Sequence, residues 1–140
     1  MRDALLAALR FRVFDDVPGA LAELRAAGHR LVVVSNWDVS LHEMLAATGL
    51  DALVDGAISS AEAGQRKPAP GIFHRALALA GPGAGPARAL HAGDSLELDV
   101  AGARAAGLRA VLVARGSGPV AAPRDVPVVG SLDGLAGLAA

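Results

Sequence analysis

The stretch Gly93–Gly107, with the sequence GDSLELDVAGARAAG, decides the fold of this chain. It follows the apolar run Ala89–Ala92, which predicts a buried strand, and Leu96–Ala106 then has the spacing of a helix that ends at Gly107. The strand therefore passes into the helix through one glycine and two polar residues. In open parallel sheets, such turns lie at the carboxyl ends of the strands, where ligands bind.

Strands and helices alternate on both sides of this stretch. Further strands are predicted at Arg30–Ser35, Ala57–Ser59, Ala110–Ala114 and Val126–Val129, and helices at 17–27, 39–47 and 70–80, with a short helix at the end. Asp16 is predicted to cap the first helix. This alternation predicts right-handed crossovers and a mostly parallel sheet with helices on both faces, which is a three-layer Rossmann-like α/β fold.

The composition of the 140 residues favours a single domain with a real core, since 53% of them are hydrophobic. A net charge of −1, scattered basic residues and only 3% aromatic residues argue against nucleic-acid binding. The absence of cysteine excludes disulfides, thiolate zinc sites and cysteine nucleophiles, and it fits a cytoplasmic location. The apolar runs are too short to cross a membrane, so we expect no membrane role.

Polar residues follow a predicted strand, and a lone lysine precedes a helix. Ser35 and Asn36 come at the end of one strand, where a hydroxyl and a backbone amide could bind a phosphate oxygen; a turn without chemistry is the alternative. Lys67 is the only lysine of the chain and lies in a proline-containing loop before the helix 70–80. A solvated surface lysine is the alternative there.

Two acids follow the strand that ends at Gly93. Asp94 lies at the tip of this strand, and Asp99 lies in the helix that comes next. Carboxylate oxygens are the protein ligands that magnesium prefers, and its remaining ligands are usually waters and a substrate phosphate. The alternative is a capping box formed by Asp94 and Glu97, since acids are favourable at a helix N-terminus.

The joint occurrence of these residues resembles the haloacid dehalogenase superfamily. Ser35 after one strand, Lys67 before a helix, and Gly93-Asp94-Ser95 with Asp99 after another strand match its motifs two, three and four in order and context. The resemblance covers about residues 16–115 and is closest to phosphatase-like members. It implies hydrolysis of a small phosphorylated metabolite by way of an aspartyl-phosphate, with Mg²⁺ as the cofactor.

The resemblance also implies which residues bind the phosphoryl group. The Ser35 hydroxyl and the Asn36 backbone amide would hold phosphoryl oxygens. Lys67 would neutralise charge on the nucleophile and on the phosphoryl group, because phosphoryl transfer depends mainly on positioning and on charge stabilisation.

Metal binding is implied for the second acidic stretch. Asp94 would bind magnesium directly. Asp99 would orient Lys67 and the metal site, and Ser95 is a further candidate for the surroundings of the metal.

The first motif of the superfamily, an apolar strand that ends in Asp-x-Asp, has no match in the chain. The nearest text is Val13–Val17, but no aspartate stands two positions after Asp15, so only a displaced nucleophile at Asp15 or Asp16 is possible. We therefore expect residues 1–15 to be a remnant of the inserted cap domain or a linker and residues 16–140 to be the core. We also expect very low activity from the isolated chain.

In the superfamily, the motif-one strand lies between the strands that here end at Ser35 and at Gly93. Loss of that strand would leave unpaired backbone groups and apolar surface. We expect a separate chain, a swapped segment or residues 9–14 to fill the gap. Direct pairing of Val32–Val34 with Leu90–Ala92 would contradict this hypothesis.

The order of these residues disagrees with two other classes of protein. A signalling receiver shares the early acids and an acidic residue near Asp55, but its lysine should follow a late strand, whereas Lys67 precedes Gly93. A dinucleotide-binding module fails because the glycines of 81–86 follow a helix. A non-catalytic subunit that binds magnesium or phosphate stays open, as does a metal-free dehalogenase, which Ser35-Asn36-Trp37 partly resembles.

The histidines and the tryptophan carry no specific signal. His29, His42, His74 and His91 show no metal-ligand spacing and are predicted to be structural or exposed. Trp37 either lines the mouth of a pocket or packs against the core.

Overall fold

The structure, a computed structural model, describes residues 14–38, 40–116, 121–133 and 135–139. The helices are α1 Val17–Ala26, α2 Leu41–Ala47, α3 Ser60–Ala63, α4 Pro70–Ala80, α5 Gly102–Ala105 and α6 Leu135–Ala139. The strands are β1 Val32–Ser35, β2 Gly56–Ser59, β3 Leu90–Gly93, β4 Arg109–Val113 and β5 Val128–Val129. Short 3₁₀ turns occupy Leu50–Leu53 and Pro86–Arg88, and a π-helical segment, Leu96–Ala101, leads into α5.

Most predicted elements are present with bounds shifted by one or two residues. Helix α4 has the predicted bounds because Pro70 begins it and Gly81 ends it. The predicted helix Leu96–Ala106 is instead a π-helical segment followed by one α-helical turn. Strand β5 is shorter than predicted because Pro127 has no N–H to donate, although its carbonyl oxygen still accepts from Leu112.

All strand pairs in the described residues are parallel, but they form two separate groups. In one, β1 pairs with β2, with Val32 opposite Gly56 and Ser35 opposite Ser59. In the other, β3, β4 and β5 lie side by side in that order. The predicted parallel α/β fold is confirmed, and among the described residues no strand joins β1 to β3.

Both strand groups pack on one shared layer of helices. One hydrophobic cluster joins Val32, Val34 and Ile58 of the first group to Ala110 and Leu112 of the second. The residues that complete this cluster from the helices are Ile72, Phe73, Ala76, Val100 and Ala103. The cluster on the other face joins Leu24 of α1 and Leu135 of α6 to residues of β3, β4 and β5. The two groups therefore share the helices on one face, and the helices on the other face cover β3, β4 and β5.

Among the described residues, the strands β1 and β3 are not paired with each other. In the ranges that the structure covers, β1 pairs with β2 alone and β3 with β4 alone, so Val32–Val34 and Leu90–Ala92 are not partners. Residues 9–13, one candidate for the gap, lie outside the described ranges. The identity of a segment that fills the gap stays a prediction.

The predicted cap at Asp16 is wrong. The Asp16 side chain makes no capping hydrogen bond to α1. It accepts two hydrogen bonds from the Arg115 guanidinium, at 2.8 and 3.1 Å, and one from the Leu132 backbone N–H, at 2.7 Å. A guanidinium fork is a stronger partner for a carboxylate than a single helix N–H, so the carboxylate binds there instead.

A search of the described residues finds no helix long and apolar enough to span a bilayer.

Candidate functional site

The ion pair of Lys67 and Asp99 lies at the centre of the candidate site. The Lys67 Nζ atom is 2.5 Å from Asp99 Oδ1, and the two side chains are only 11% and 5% exposed. Lys67 comes from the loop before α4, and Asp99 comes from the π-helical segment after β3. Two residues that the sequence predicted to act together are thus brought into contact.

The turn after β3 contacts the Asp99 carboxylate through Gly93 and through the Ser95 backbone. A Cβ atom at position 93 would overlap the Asp99 side chain, so only glycine leaves the carboxylate its place. The Ser95 backbone N–H donates to Asp99 Oδ2 at 3.1 Å. The Ser95 hydroxyl accepts from the Leu98 N–H at 3.0 Å, so Ser95, and not the alternative pair of Asp94 and Glu97, caps the helical segment.

Asn36 fixes the loop that carries Lys67. Its side-chain Oδ1 accepts from the Lys67 backbone N–H at 2.7 Å, and its Nδ2 donates to the Lys67 carbonyl oxygen at 3.1 Å. This two-point contact ties the end of β1 to the lysine loop, in which the Lys67–Pro68 peptide bond is cis. The sequence pointed to the Asn36 backbone amide; the side-chain role was missed because it depends on a contact across 31 residues.

The electrostatics of the cluster favour an ionised Asp99. Burial raises the pKa of the carboxyl, but hydrogen bonds from His91 and Lys67, together with their charges, outweigh burial and hold the pKa well below its usual range. Asp99 therefore stays a carboxylate at neutral pH. It can accept hydrogen bonds from several donors at once and hold the Lys67 ammonium group in one place.

Asp94 is an exposed carboxylate at the carboxyl end of β3. It stands between Gly93 and Ser95, both of which lie against Asp99. Among the residues with described positions, no three His, Cys, Asp or Glu side chains are grouped so that they could hold a metal ion. This arrangement does not fit a metal enclosed by protein ligands, but it fits magnesium, which commonly uses one or two carboxylates with waters and a phosphate.

His91 is a site residue that the sequence did not single out. Its Nε2 atom is 2.8 Å from Asp99 Oδ1, the oxygen that also contacts Lys67. A strand histidine without ligand spacing carries no signal in one sequence. The position could have been found only by noting that His91 and Gly93 lie on the same face of β3.

Two of the three remaining acidic candidates, Asp16 and Asp55, have structural partners. Asp16 is bound by Arg115 and the Leu132 N–H, so its oxygens are engaged and a nucleophilic role is disfavoured. Asp55, the acid weighed for a receiver, accepts from the Leu31 N–H at 2.7 Å and from Arg25 at 3.1 Å. Asp15 is exposed.

Comparison with known proteins decides the family. The model of the haloacid dehalogenase-like hydrolases matches residues 2–107. The chain belongs to the haloacid dehalogenase-like hydrolase family. Within this family, curated relatives include haloacid dehalogenase-like hydrolase domain-containing protein 3 of Bos taurus, 41% identical over 104 residues, which are 74% of this chain and 41% of that protein. The phosphoserine phosphatase of Thermus thermophilus is 37% identical over 111 residues, which are 79% of this chain and 44% of that protein.

Solved structures of the haloacid dehalogenase-like family have the same fold. A HAD phosphatase from Thermococcus onnurineus superposes with a TM-score of 0.81 at 28% identity, over 91% of this chain and 58% of that one. A 2-haloacid dehalogenase from Pseudomonas syringae superposes with a TM-score of 0.75 at 28% identity, over 89% and 51%. This haloacid dehalogenase-like chain spans less than half the length of the curated relatives named above.

Proposed function

We propose that this chain is the phosphate- and magnesium-binding part of a phosphate-monoester hydrolase that acts on a small phosphorylated metabolite. The observation that carries the proposal is the buried ion pair of Lys67 and Asp99 next to the carboxyl ends of β1 and β3. It presents one fixed ammonium group where ligands of parallel sheets bind. Relatives whose names state a phosphatase activity, such as the Thermus enzyme, support the same choice.

Each site residue has a defined task in this proposal. The Lys67 ammonium group neutralises negative charge on the phosphoryl group, while Ser35 and the Asn36 backbone N–H hold its oxygens. Asp99 orients Lys67. Asp94 would hold magnesium, which supplies further charge neutralisation at the phosphate when it is bound. The absence of cysteine is compatible with a cytoplasmic location of the protein.

Turnover by the isolated chain should be very low, because the chain has no apolar strand that ends in Asp-x-Asp. Asp16 is held by Arg115, and Asp15 is exposed next to it. A further segment that supplies the strand between β1 and β3, from another polypeptide or from a second copy, would complete the sheet. Sedimentation of the purified chain tests self-association: a dimer supports exchange between copies, and a monomer at all concentrations argues against it.

The test of the function is hydrolysis of p-nitrophenyl phosphate with and without magnesium, next to an Asp94→Asn control. Turnover no higher than that of the control supports a core with little activity of its own. Magnesium-dependent turnover that the control lacks would support the phosphatase assignment and show that the chain contains a nucleophile. In calorimetry, Asp94→Asn should weaken magnesium binding, and an unchanged affinity would refute the metal assignment.

A second candidate function is metal-independent dehalogenation, which the fit to the Pseudomonas dehalogenase favours. Release of chloride from 2-chloropropionate without magnesium, and no magnesium binding, would replace the phosphatase by this function. The exposed Asp94, directly before the Ser95 whose N–H binds Asp99, favours the phosphatase, because its carboxylate is available to magnesium.

A further inference from the structure

His91 is the one histidine that lies inside the candidate site, and the proposed roles above do not use it. Side chains alternate along a strand, so His91 and Gly93 face the same layer, while Leu90 and Ala92 belong to the cluster on the opposite face. The Asp99 carboxylate fills the space that Gly93 leaves. The fold of β3 therefore places the imidazole ring directly next to Asp99.

The imidazole ring is held on two sides. Its Nε2 atom is 2.8 Å from Asp99 Oδ1, and its side chain is 12% exposed. The ring edge of Phe73 packs against it at right angles, with 5.0 Å between the ring centres. Because Asp99 is ionised, the Nε2 atom must carry a hydrogen and donate it.

His91 and Lys67 share one oxygen of Asp99. Oδ1 accepts from Lys67 Nζ and from His91 Nε2, while Oδ2 accepts from the Ser95 N–H. The His91 donor on one oxygen and the Ser95 N–H on the other together fix the rotation of the carboxylate about its Cβ–Cγ bond. Without that donor, Oδ1 would be fixed by the flexible Lys67 side chain alone.

We propose that His91 is a positioning residue, which fixes the Asp99 carboxylate so that the Lys67 ammonium group is held in one orientation toward the ligand. The effect of His91 on phosphate binding rests on the proposed function. The positioning of Lys67 itself does not, since it follows from the contacts among these three side chains.

The single lysine makes the proposal directly measurable. Acetylation of the Lys67 amine by an N-hydroxysuccinimide ester is followed by mass spectrometry of the peptide that contains it. The variant His91→Leu removes the donor, whereas His91→Gln keeps an N–H group at a similar distance from the backbone. We expect acetylation about tenfold faster in His91→Leu, the scale of a hydrogen bond to a charged group, and a rate near that of the wild type in His91→Gln.

Binding of inorganic phosphate in the presence of magnesium, measured by calorimetry, gives the second readout. His91→Leu should bind phosphate about tenfold more weakly and His91→Gln should restore the affinity. If the wild type binds no phosphate but the acetylation rates differ as expected, the proposed function fails and the role of His91 stands. Equal acetylation rates in the wild type and His91→Leu would overturn the inference.

A measurement on the unaltered protein covers the case in which His91→Leu does not fold. Nitrogen-15 spectra of the imidazole should show hydrogen on Nε2 of His91, with that proton shifted far downfield. Hydrogen on Nδ1 with a bare Nε2 would overturn the proposal, because such a ring cannot donate to Asp99.

Discussion

Asp99 and Asp16 are two carboxylates that accept several hydrogen bonds each, yet they belong to different kinds of cluster. Both have a pKa below the usual range of aspartate, and both join segments far apart in sequence. Asp99 binds the only lysine and a histidine at the carboxyl end of β3. Asp16 binds Arg115 and the Leu132 N–H, and thereby joins the start of α1 to the segment after β5.

The difference shows that a lowered pKa does not by itself mark a functional site. What distinguishes Asp99 is its position against Gly93, where a Cβ atom would overlap the Asp99 side chain, so that position 93 must be glycine. Its ammonium partner, on Lys67, is also held in place by Asn36. Asp16 has no such surroundings, and its contacts serve to hold the ends of the domain together.

The largest effect is expected for Asp99→Asn. This change leaves the nearly buried Lys67 ammonium group without a counter-charge, which should lower the free energy of unfolding by about 3 kcal/mol. Urea denaturation measures it. Asp16→Asn is the matched control, because Arg115 can still be solvated, and its cost should be clearly smaller. Equal costs would mean that the two carboxylates are alike in energy and that the distinction drawn above is wrong.

The next effect in size is expected for Gly93→Ala. The added methyl group would overlap Asp99, and a forced repacking of this kind costs about 2 kcal/mol. Gly19→Ala is the control, since a Cβ atom at that position in α1 meets nothing within 4 Å and alanine favours helix. Thermal unfolding compares the two. A stable Gly93→Ala variant that still acetylates slowly at Lys67 would show that Asp99 has more room than the structure gives it.

These contrasts also show what one sequence can predict. Pro70 and Gly81 predicted the bounds of α4, because proline at the start and glycine after the end act through the local backbone alone. The sequence was enough to name Lys67 and Asp99, which the fold then brings into contact, and Ser35, which ends β1 next to the Asn36 that binds the Lys67 backbone. Their tasks in catalysis stay predictions.

What the sequence could not give depends on contacts between distant segments. The Asp16 cap was a sound local expectation, but Arg115 lies 99 residues away and binds the carboxylate more strongly. The role of the Asn36 side chain was missed for the same reason, because its contact with Lys67 spans 31 residues. His91 is near Asp99 in sequence but was missed because a strand histidine without ligand spacing carries no signal. The parallel sheet and the gap between β1 and β3 were both expected from the sequence, whereas the segment that would fill the gap stays a prediction.

A smaller effect concerns pH. The Arg115 hydrogen bond lowers the pKa of Asp16 from 3.8 to about 2, so the unfolded chain takes up a proton there before the folded one does. Its stabilisation is complete above about pH 4 and is lost as the pH falls toward 2. Asp16→Asn should therefore flatten the fall of stability between these pH values, followed by urea denaturation. Arg115→Leu should flatten it in the same way, and an unchanged slope in both variants would contradict the assignment.

The smallest effect is expected at the edge of the Asp16 cluster, where the Arg115 guanidinium lies 4.0 Å from the centre of the Phe14 ring. The ring is 58% exposed, so the cation–π contact should contribute only about 0.5 kcal/mol. Phe14→Leu should lose this amount, and Phe14→Trp should retain or exceed it. A double-mutant cycle with Arg115→Leu separates the contact from simple burial, because the preference for an aromatic residue should vanish once the guanidinium is gone. If the preference for an aromatic residue persists in the Arg115→Leu background, Phe14 stabilises the domain by burial alone. Phe14 would then not interact with the Arg115 guanidinium.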